Sequence, residues 1–270
     1  MAATARWRTA RSAVLPIAAG LLVGLVLLAL ATLVIRAAES PDALVSAAVD
    51  PDVWYAIGTT FAAAGLAVAF LVLFGTPLAY LMARTRSRVL PLVEALIDLP
   101  LVLPHTIAGL LVYLVFMRNG PLGAPFGVVG LSFEDAFPGI VAAMLFVGIP
   151  YYVDAARDGF AKVPVELEEV ARTLGAGPGA AFARVALPLA ARECLSGAVT
   201  AWGRAVGEFA AVIMIAYYPL VISTLIYTRF TQYGLAGTVA VALVLLAVCG
   251  SVLIVLRRGA ARLWRPDAPV

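Results

Sequence analysis

Arg204 and Glu208 stand four residues apart in an apolar stretch, GRAVGEFAAVIMIA, so a helix through it places a guanidinium and a carboxylate on one face. Ionisable groups in such surroundings are unfavourable unless they have a partner or a task. The chemistry open to this pair is mutual neutralisation, or a positive potential offered to an anion. Two readings stay open. The pair lines a pore or an interface between two copies of the chain, or it is a structural ion pair that fixes helix packing. His105 is the only histidine and lies between Pro104 and Thr106. Pro100 and Pro104 remove helix hydrogen bonds, so the imidazole either lines a polar path as part of a gate or is satisfied by the carbonyls those prolines release. Glu94 and Asp98 repeat the four-residue spacing and are expected to be solvated or paired with loop arginines. One histidine makes no metal site. Cys194 and Cys249 lack metal-ligand spacing and read as inert apolar fillers. There is no H-E-x-x-H, no G-x-S-x-G, no carboxylate cluster and no P-loop G-x-x-x-x-G-K-[ST], so the chain is not expected to be an enzyme or to bind ATP in that way.

The elements that position these groups must be helices in lipid. Of 270 residues, 63% are hydrophobic and 13% charged. A soluble domain carries about 45–50% apolar and about 25% charged residues. A spanning helix needs about 20 mostly apolar residues. The apolar runs predict an all-α integral membrane protein, one transmembrane domain over 1–270, with six spans at about 13–35, 54–82, 89–117, 136–156, 194–217 and 234–256. Lys and Arg accumulate in cytoplasmic loops and test the reading independently. Arg6, Arg8 and Arg11 precede the first run; Arg84, Arg86 and Arg88 join the second to the third; Arg157, Lys162, Arg172, Arg184 and Arg192 join the fourth to the fifth; and Arg257, Arg258, Arg262 and Arg265 follow the sixth. Only Arg36, Arg118 and Arg229 fall on the other side, beside Glu39, Asp42, Asp50, Asp52, Glu134 and Asp135. Both termini and the connection 157–192 are therefore expected in the cytoplasm, and the chain is expected to be a multi-pass protein of the cell membrane.

The first apolar run exceeds the 7–15 residues of a signal peptide, so it reads as a retained span despite Ala37-Ala38 near its end. The Gly- and Pro-rich stretch 118–135 reads as a covering loop. Gly203 with Gly207, and Gly58 with Gly65, are expected to let helices approach closely. Tyr217, Tyr218 and Tyr227 are expected in an aromatic belt. No internal repeat is evident, which weakens a transporter built on inverted halves.

The connection 157–192 is polar where the rest is not. Pro164 fits a first helical position, and Glu166, Glu168 and Glu169 suit the positive end of a helix dipole. Leu167, Val170, Ala171 and Leu174 follow i, i+3, i+4, i+7 spacing and form one apolar stripe, expected to pack on the protein's own helices and leave the charged face free. Gly175 suits a left-handed stop, Gly177-Pro178-Gly179 a sharp turn. A second short helix carries Phe182, Val185 and Ala186, and Pro188 ends the segment. Periodicity alone favours a helix lying on the membrane surface.

The register of this segment says more. In EVARTLGAGPGAAFARVALP, Glu169, Val170 and Ala171 are followed after three residues by Gly175, and after nine more by Val185, Ala186, Leu187 and Pro188. This resembles the coupling loop of ABC importer permeases, whose pattern is E-A-A, three residues, Gly, nine residues, I-x-L-P. The departures, Val170 for Ala and Val185 for Ile, stay apolar. Three further stretches, LPLVLPHTIAGL, GRAVGEFAAVIMIA and YYPLVISTLIY, are similar to those of the archaeal-type molybdate/tungstate permeases and, more distantly, the sulfate permeases. The resemblance implies a homodimer that imports an oxyanion, with a sulfate or thiosulfate importer as the alternative. Two cytoplasmic ATPase subunits would hold the ATP and Mg, and an extracellular or periplasmic solute-binding protein would deliver the solute. It implies no cofactor in this chain and no nucleic acid. It places ATPase coupling at Glu169, Val170, Ala171, Leu174, Gly175, Phe182, Val185, Leu187 and Pro188, and leaves His105, Arg204 and Glu208 as candidates for the translocation path or for helix packing. A self-sufficient secondary transporter or channel is the reading from a different class; it has no need of a docking loop.

Overall fold

The computed structural model describes the backbone of residues 2–263 and the side chains of residues 16–255 and 258. The side chains of Arg6, Arg8, Arg11, Arg257 and Arg262, and Arg265 as a whole, lie outside the described residues. Regular structure among the described residues is entirely helical. In chain order the helices are α1 (Ala2–Ala38), α2 (Pro41–Val49), α3 (Pro51–Phe70), α4 (Thr76–Arg84), α5 (Leu90–Val102), α6 (His105–Phe116), α7 (Gly123–Val128), α8 (Phe137–Lys162), α9 (Val165–Thr173), α10 (Pro178–Ala181), α11 (Leu187–Val206), α12 (Ala210–Ile215), α13 (Ile222–Tyr233) and α14 (Val239–Leu263). A π-helical turn, Leu71–Gly75, joins α3 to α4, and another, Phe182–Ala186, joins α10 to α11.

Both π-turns have the same cause. Each ends two residues before a proline, Pro77 or Pro188. Proline has no N–H to donate, and its ring collides with the carbonyl four residues back. Widening the preceding turn removes that collision without breaking the rod. At the second turn, Leu187 N–H reaches back five residues to Phe182 O. Pro188 therefore does not end its segment, as the sequence suggested: the helix runs on through it into α11.

Where proline meets an extended residue instead, the chain breaks. Leu103 precedes Pro104 and has ψ 138°, the conformation that proline imposes on its predecessor. The stretch expected as one span at 89–117 is thus two helices, α5 and α6, bent by 116°. The stretch expected at 194–217 is also interrupted: α11 starts earlier and ends at Val206, and Glu208 lies beyond it, before α12. The expected covering loop contains α7. Among the described residues, three helices are long and apolar enough to cross a membrane: Pro16–Ala38, Pro51–Arg84 and Phe137–Lys162. The bent pair makes a fourth if it is one span, and Val239–Val255 is a shorter apolar helix.

The chain forms two compact units. One contains α1, α2 and the segment Ile226–Val248. Within it Arg36 pairs with Glu39 at 3.1 Å and Arg229 pairs with Asp50, so two of the basic residues that broke the charge alternation are neutralised locally. The other unit contains Pro51–Leu225 and the C-terminal part of α14. Its axis is α8, against which α3, α4, α5, α6, α11 and α12 pack. Ile140, Met144 and Val147 on α8 centre one core with Ala64, Ala108, Val212 and Ile215. Tyr152, Ala156 and Phe160 centre a second with Met82, Ala186, Ala190 and the free thiol of Cys194.

Candidate functional site

Two clusters of ionisable side chains stand out in the larger unit. The first surrounds α9. Val163 is extended ahead of Pro164, which stops α8 and starts α9 one residue later than expected, with Pro164 as the cap and Val165 as the first helical residue. Glu166 and Glu168 lie in the first turn and Arg172 in the last, as the helix dipole favours. The helix closes on Gly175, whose φ of +93° is open to glycine and unfavourable for other residues. Gly175 N–H donates to Arg172 O at 3.0 Å and Ala176 N–H to Ala171 O at 3.0 Å, the paired bonds of a Schellman stop.

The faces of α9 are reversed from expectation. Leu167, Val170 and Leu174 are 45%, 56% and 83% exposed, while Glu168 is 2% exposed. The reason is a specific set of partners. Arg84, at the end of α4, donates from Nε to Glu168 Oε1 at 2.9 Å and approaches the same oxygen from Nη2 at 2.7 Å. Tyr80 donates its hydroxyl to Glu168 Oε2. The same guanidinium donates to the carbonyls of Phe160 at 3.0 Å and Val163 at 3.1 Å, which close the end of α8. A buried carboxylate is tolerated when its oxygens are this fully paired. Phe182 stacks obliquely on Tyr80 at 4.8 Å and lies 5.9 Å from Phe160. Val185 and Leu187 are half-buried, Ala171 likewise, and Glu169 and Pro188 are exposed.

Sequence reasoning treated Glu168 as a helix-dipole charge and missed its burial. A signal was present. Ala171 is three residues on, and a small residue on the same helical face marks a close approach. Its partners Tyr80 and Arg84 lie 88 and 84 positions away, beyond the reach of local spacing.

The second cluster joins the two helix breaks. α6 packs against α12, and a Cβ on Gly109 would come within 2.6 Å of Ala211 O, so only glycine permits that approach. His105, the first residue of α6, thereby meets Arg204, the last basic residue of α11. Arg204 Nη2 lies 2.6 Å from His105 Nε2 and 2.5 Å from Glu208 Oε2. Arginine only donates, so Nε2 accepts and the imidazole proton sits on Nδ1. That Nδ1 is buried without a hydrogen-bond partner among the described residues. Arg204 thus meets one nitrogen of the imidazole, and the proline-freed carbonyls meet neither among the described residues. Glu208 Oε1 accepts from Ala211 N–H at 2.8 Å, capping α12, and Ser223 donates to Glu208 O at 2.9 Å. The pair forms although Glu208 is outside the helix.

Other expectations resolve simply. Arg157 pairs with Glu94 at 2.9 Å, while Asp98 keeps one buried oxygen, Oδ1, without a partner among the described residues. Gly58, Gly65 and Gly203 face open space and Gly207 meets only its own turn, so none mediates a close approach among the described residues. Tyr218 and Tyr227 are largely exposed.

Residues 75–265, which hold both clusters, match the family described as "binding-protein-dependent transport system inner membrane component". The chain belongs to this permease family. The permease is 35% identical over 236 residues to the molybdate/tungstate transport system permease protein WtpB of Thermococcus kodakarensis, covering 87% of this chain and 90% of that one. It is 38% identical to the protein of the same name from Pyrococcus furiosus, over 87% and 90% of the two chains. A probable sulfate transport system permease protein, cysT of Anthoceros angustus, is 31% identical over 90% and 86%. Among solved structures, a bacterial ABC transporter involved in import of the acidic polysaccharide alginate shares the fold, with a TM-score of 0.63 at 19% identity over 83% and 84% of the chains. The permease is a transport component of an ABC importer, not an enzyme.

Proposed function

We propose that this permease carries a tetrahedral oxyanion, molybdate or tungstate, into the cell. The observation that supports the substrate is the similarity of nearly nine-tenths of the chain to molybdate/tungstate permeases. Two copies would assemble with two cytoplasmic ATPase subunits, which hold ATP and Mg, and receive the solute from a binding protein outside. Each copy would cross the membrane six times with both termini inside. α11 and α14 would supply the crossings beyond the three long helices and the bent pair. The short, charged projection α9–α10 would then lie in the cytoplasm.

The coupling role follows from the exposed stripe of α9. Leu167, Val170 and Leu174, with Glu169 beside them, present an apolar strip with a charged edge. Such a strip suits a groove on an ATPase subunit, as a helix laid in a groove. ATP binding would draw the two ATPases together, and each α9 would swing the helices attached to it, opening the path to one side and closing it to the other. Val170, Ala171, Leu174 and Gly175 would shape the docking helix, and Phe182, Val185, Leu187 and Pro188 would root it in α11. His105, Arg204 and Glu208 would either border the path or fix α6 to α12. In the paired state Arg204 is already neutralised, which suits passage better than tight anion binding.

The test is uptake in proteoliposomes that contain the permease, its ATPase and an oxyanion-loaded binding protein. ATP-dependent entry of molybdate or tungstate is the expected result. Entry of sulfate alone would favour the second reading, a sulfate importer permease, which the similarity to the sulfate permease supports. Uptake by the permease without any ATPase would overturn both.

A further inference from the structure

We propose that Tyr80, Arg84 and Glu168 form a latch that transmits the movement of α9 to the helices α4 and α8, and so sets how much solute moves per ATP. This rests on the reading of α9 as the ATPase-contacting element. The close backbone neighbours of α9 are α10 and the π-turn Phe182–Ala186, both on its C-terminal side. Its hydrogen-bonded side-chain link to the spans on its N-terminal side is Glu168. That carboxylate holds both oxygens against α4, one on the Arg84 guanidinium at 2.9 and 2.7 Å and one on the Tyr80 hydroxyl. Arg84 at the same time grips two carbonyls at the end of α8, Phe160 O, which also accepts Val163 N–H, and that of the cap residue Val163. One planar fork thus ties three elements, and it is 14% exposed, so water competes little for its bonds. The Tyr80 ring is held in turn between Phe160 and Phe182, at 5.4 and 4.8 Å. The latch is therefore rigid on the α4–α8 side and single-pointed on the α9 side, as a transmission element should be. These are positioning residues: none lies on the exposed strip of α9.

The test uses the complete complex in proteoliposomes, with molybdate and its binding protein as probe. ATP hydrolysis, molybdate entry and the amount of ATPase co-purifying with the permease are measured together. E168Q removes the charge that Arg84 holds, and Arg84→Lys keeps a charge but loses the fork. Both are expected to retain the ATPase and its hydrolysis while molybdate moved per ATP falls about tenfold, within the about 5–150-fold range of coupling between sites. Tyr80→Phe keeps the ring packing and deletes one hydroxyl. It is expected to lower the ratio about threefold and decides the matter if the other variants fail to insert. An unchanged ratio in Tyr80→Phe and E168Q overturns the latch. Gly175→Trp tests the underlying reading separately: it should reduce co-purified ATPase, and undiminished assembly would overturn docking through α9 whatever the ratio does in the latch variants.

Discussion

Arg204 faces two partners, the His105 imidazole, to which it hydrogen-bonds, and a carboxylate, 1% exposed, with which it forms an ion pair. Removing the arginine strands that carboxylate in apolar surroundings, and breaking a buried pair in this way costs about 3–5 kcal/mol. Removing both charges leaves a smaller defect, because no unpaired charge stays buried and the remaining cost is the Ala211 N–H that loses its acceptor. Arg204→Ala is accordingly expected to lower the melting temperature in detergent more than Arg204→Ala combined with Glu208→Ala. Equal melting of the two variants would exclude the pairing. His105→Gln keeps an acceptor near Arg204 and is expected to melt close to the parent, whereas His105→Leu is expected to lose about 1–2 kcal/mol by leaving a guanidinium donor unmet. The ion pair was legible from the four-residue spacing. The histidine's part in it was not, because the bond spans 99 positions and depends on two breaks whose geometry no local pattern records.

At the scale of elements, prolines decide where helices widen and where they break. The stop at Gly175 was readable from a glycine after an apolar periodic run, and the structure gives it a positive φ with both closing hydrogen bonds. A Cβ there would meet nothing within 4 Å, so the whole effect of Gly175→Ala falls on the backbone, about 1–2 kcal/mol. Asparagine tolerates this conformation better. Hydrogen exchange of the α9 amides is expected to quicken in Gly175→Ala and less so in Gly175→Asn; the reverse order would argue against a conformational cause. The orientation of α9 was misjudged for a physical reason. An apolar stripe by itself predicts packing on the protein's own core, but the groups that reach α9 from α4 are a guanidinium and a phenol, and they draw in the glutamate face. The bend between α5 and α6 was missed because Pro100 sits quietly inside α5 while Pro104 acts through its predecessor, Leu103.

At the scale of the whole chain, composition and basic-residue alternation lead to the expectation of a multi-spanning permease with its polar projection inside. A cysteine placed at Leu174, the most exposed position of α9's apolar strip, is expected to react with a membrane-impermeant maleimide only in inside-out vesicles. Labelling from the outside of intact cells would contradict the topology. The family could be read from the fixed spacing of a 20-residue register, and residues 75–265 carry the match. Substrate choice could not be read in the same way, since molybdate, tungstate and sulfate are tetrahedral dianions of similar shape.

The two π-turns have a consequence for the ancestry and engineering of these rods. Such a turn amounts to one surplus residue accommodated in a helix. Excising a single position from Leu71–Gly75 while replacing Pro77 with alanine should therefore yield an uninterrupted α-helix whose later side chains keep their bearings. The same excision from a straight stretch of α8 would swing everything downstream by about 100° about the axis. Circular dichroism and insertion efficiency would distinguish a tolerated shortening from a scrambled one.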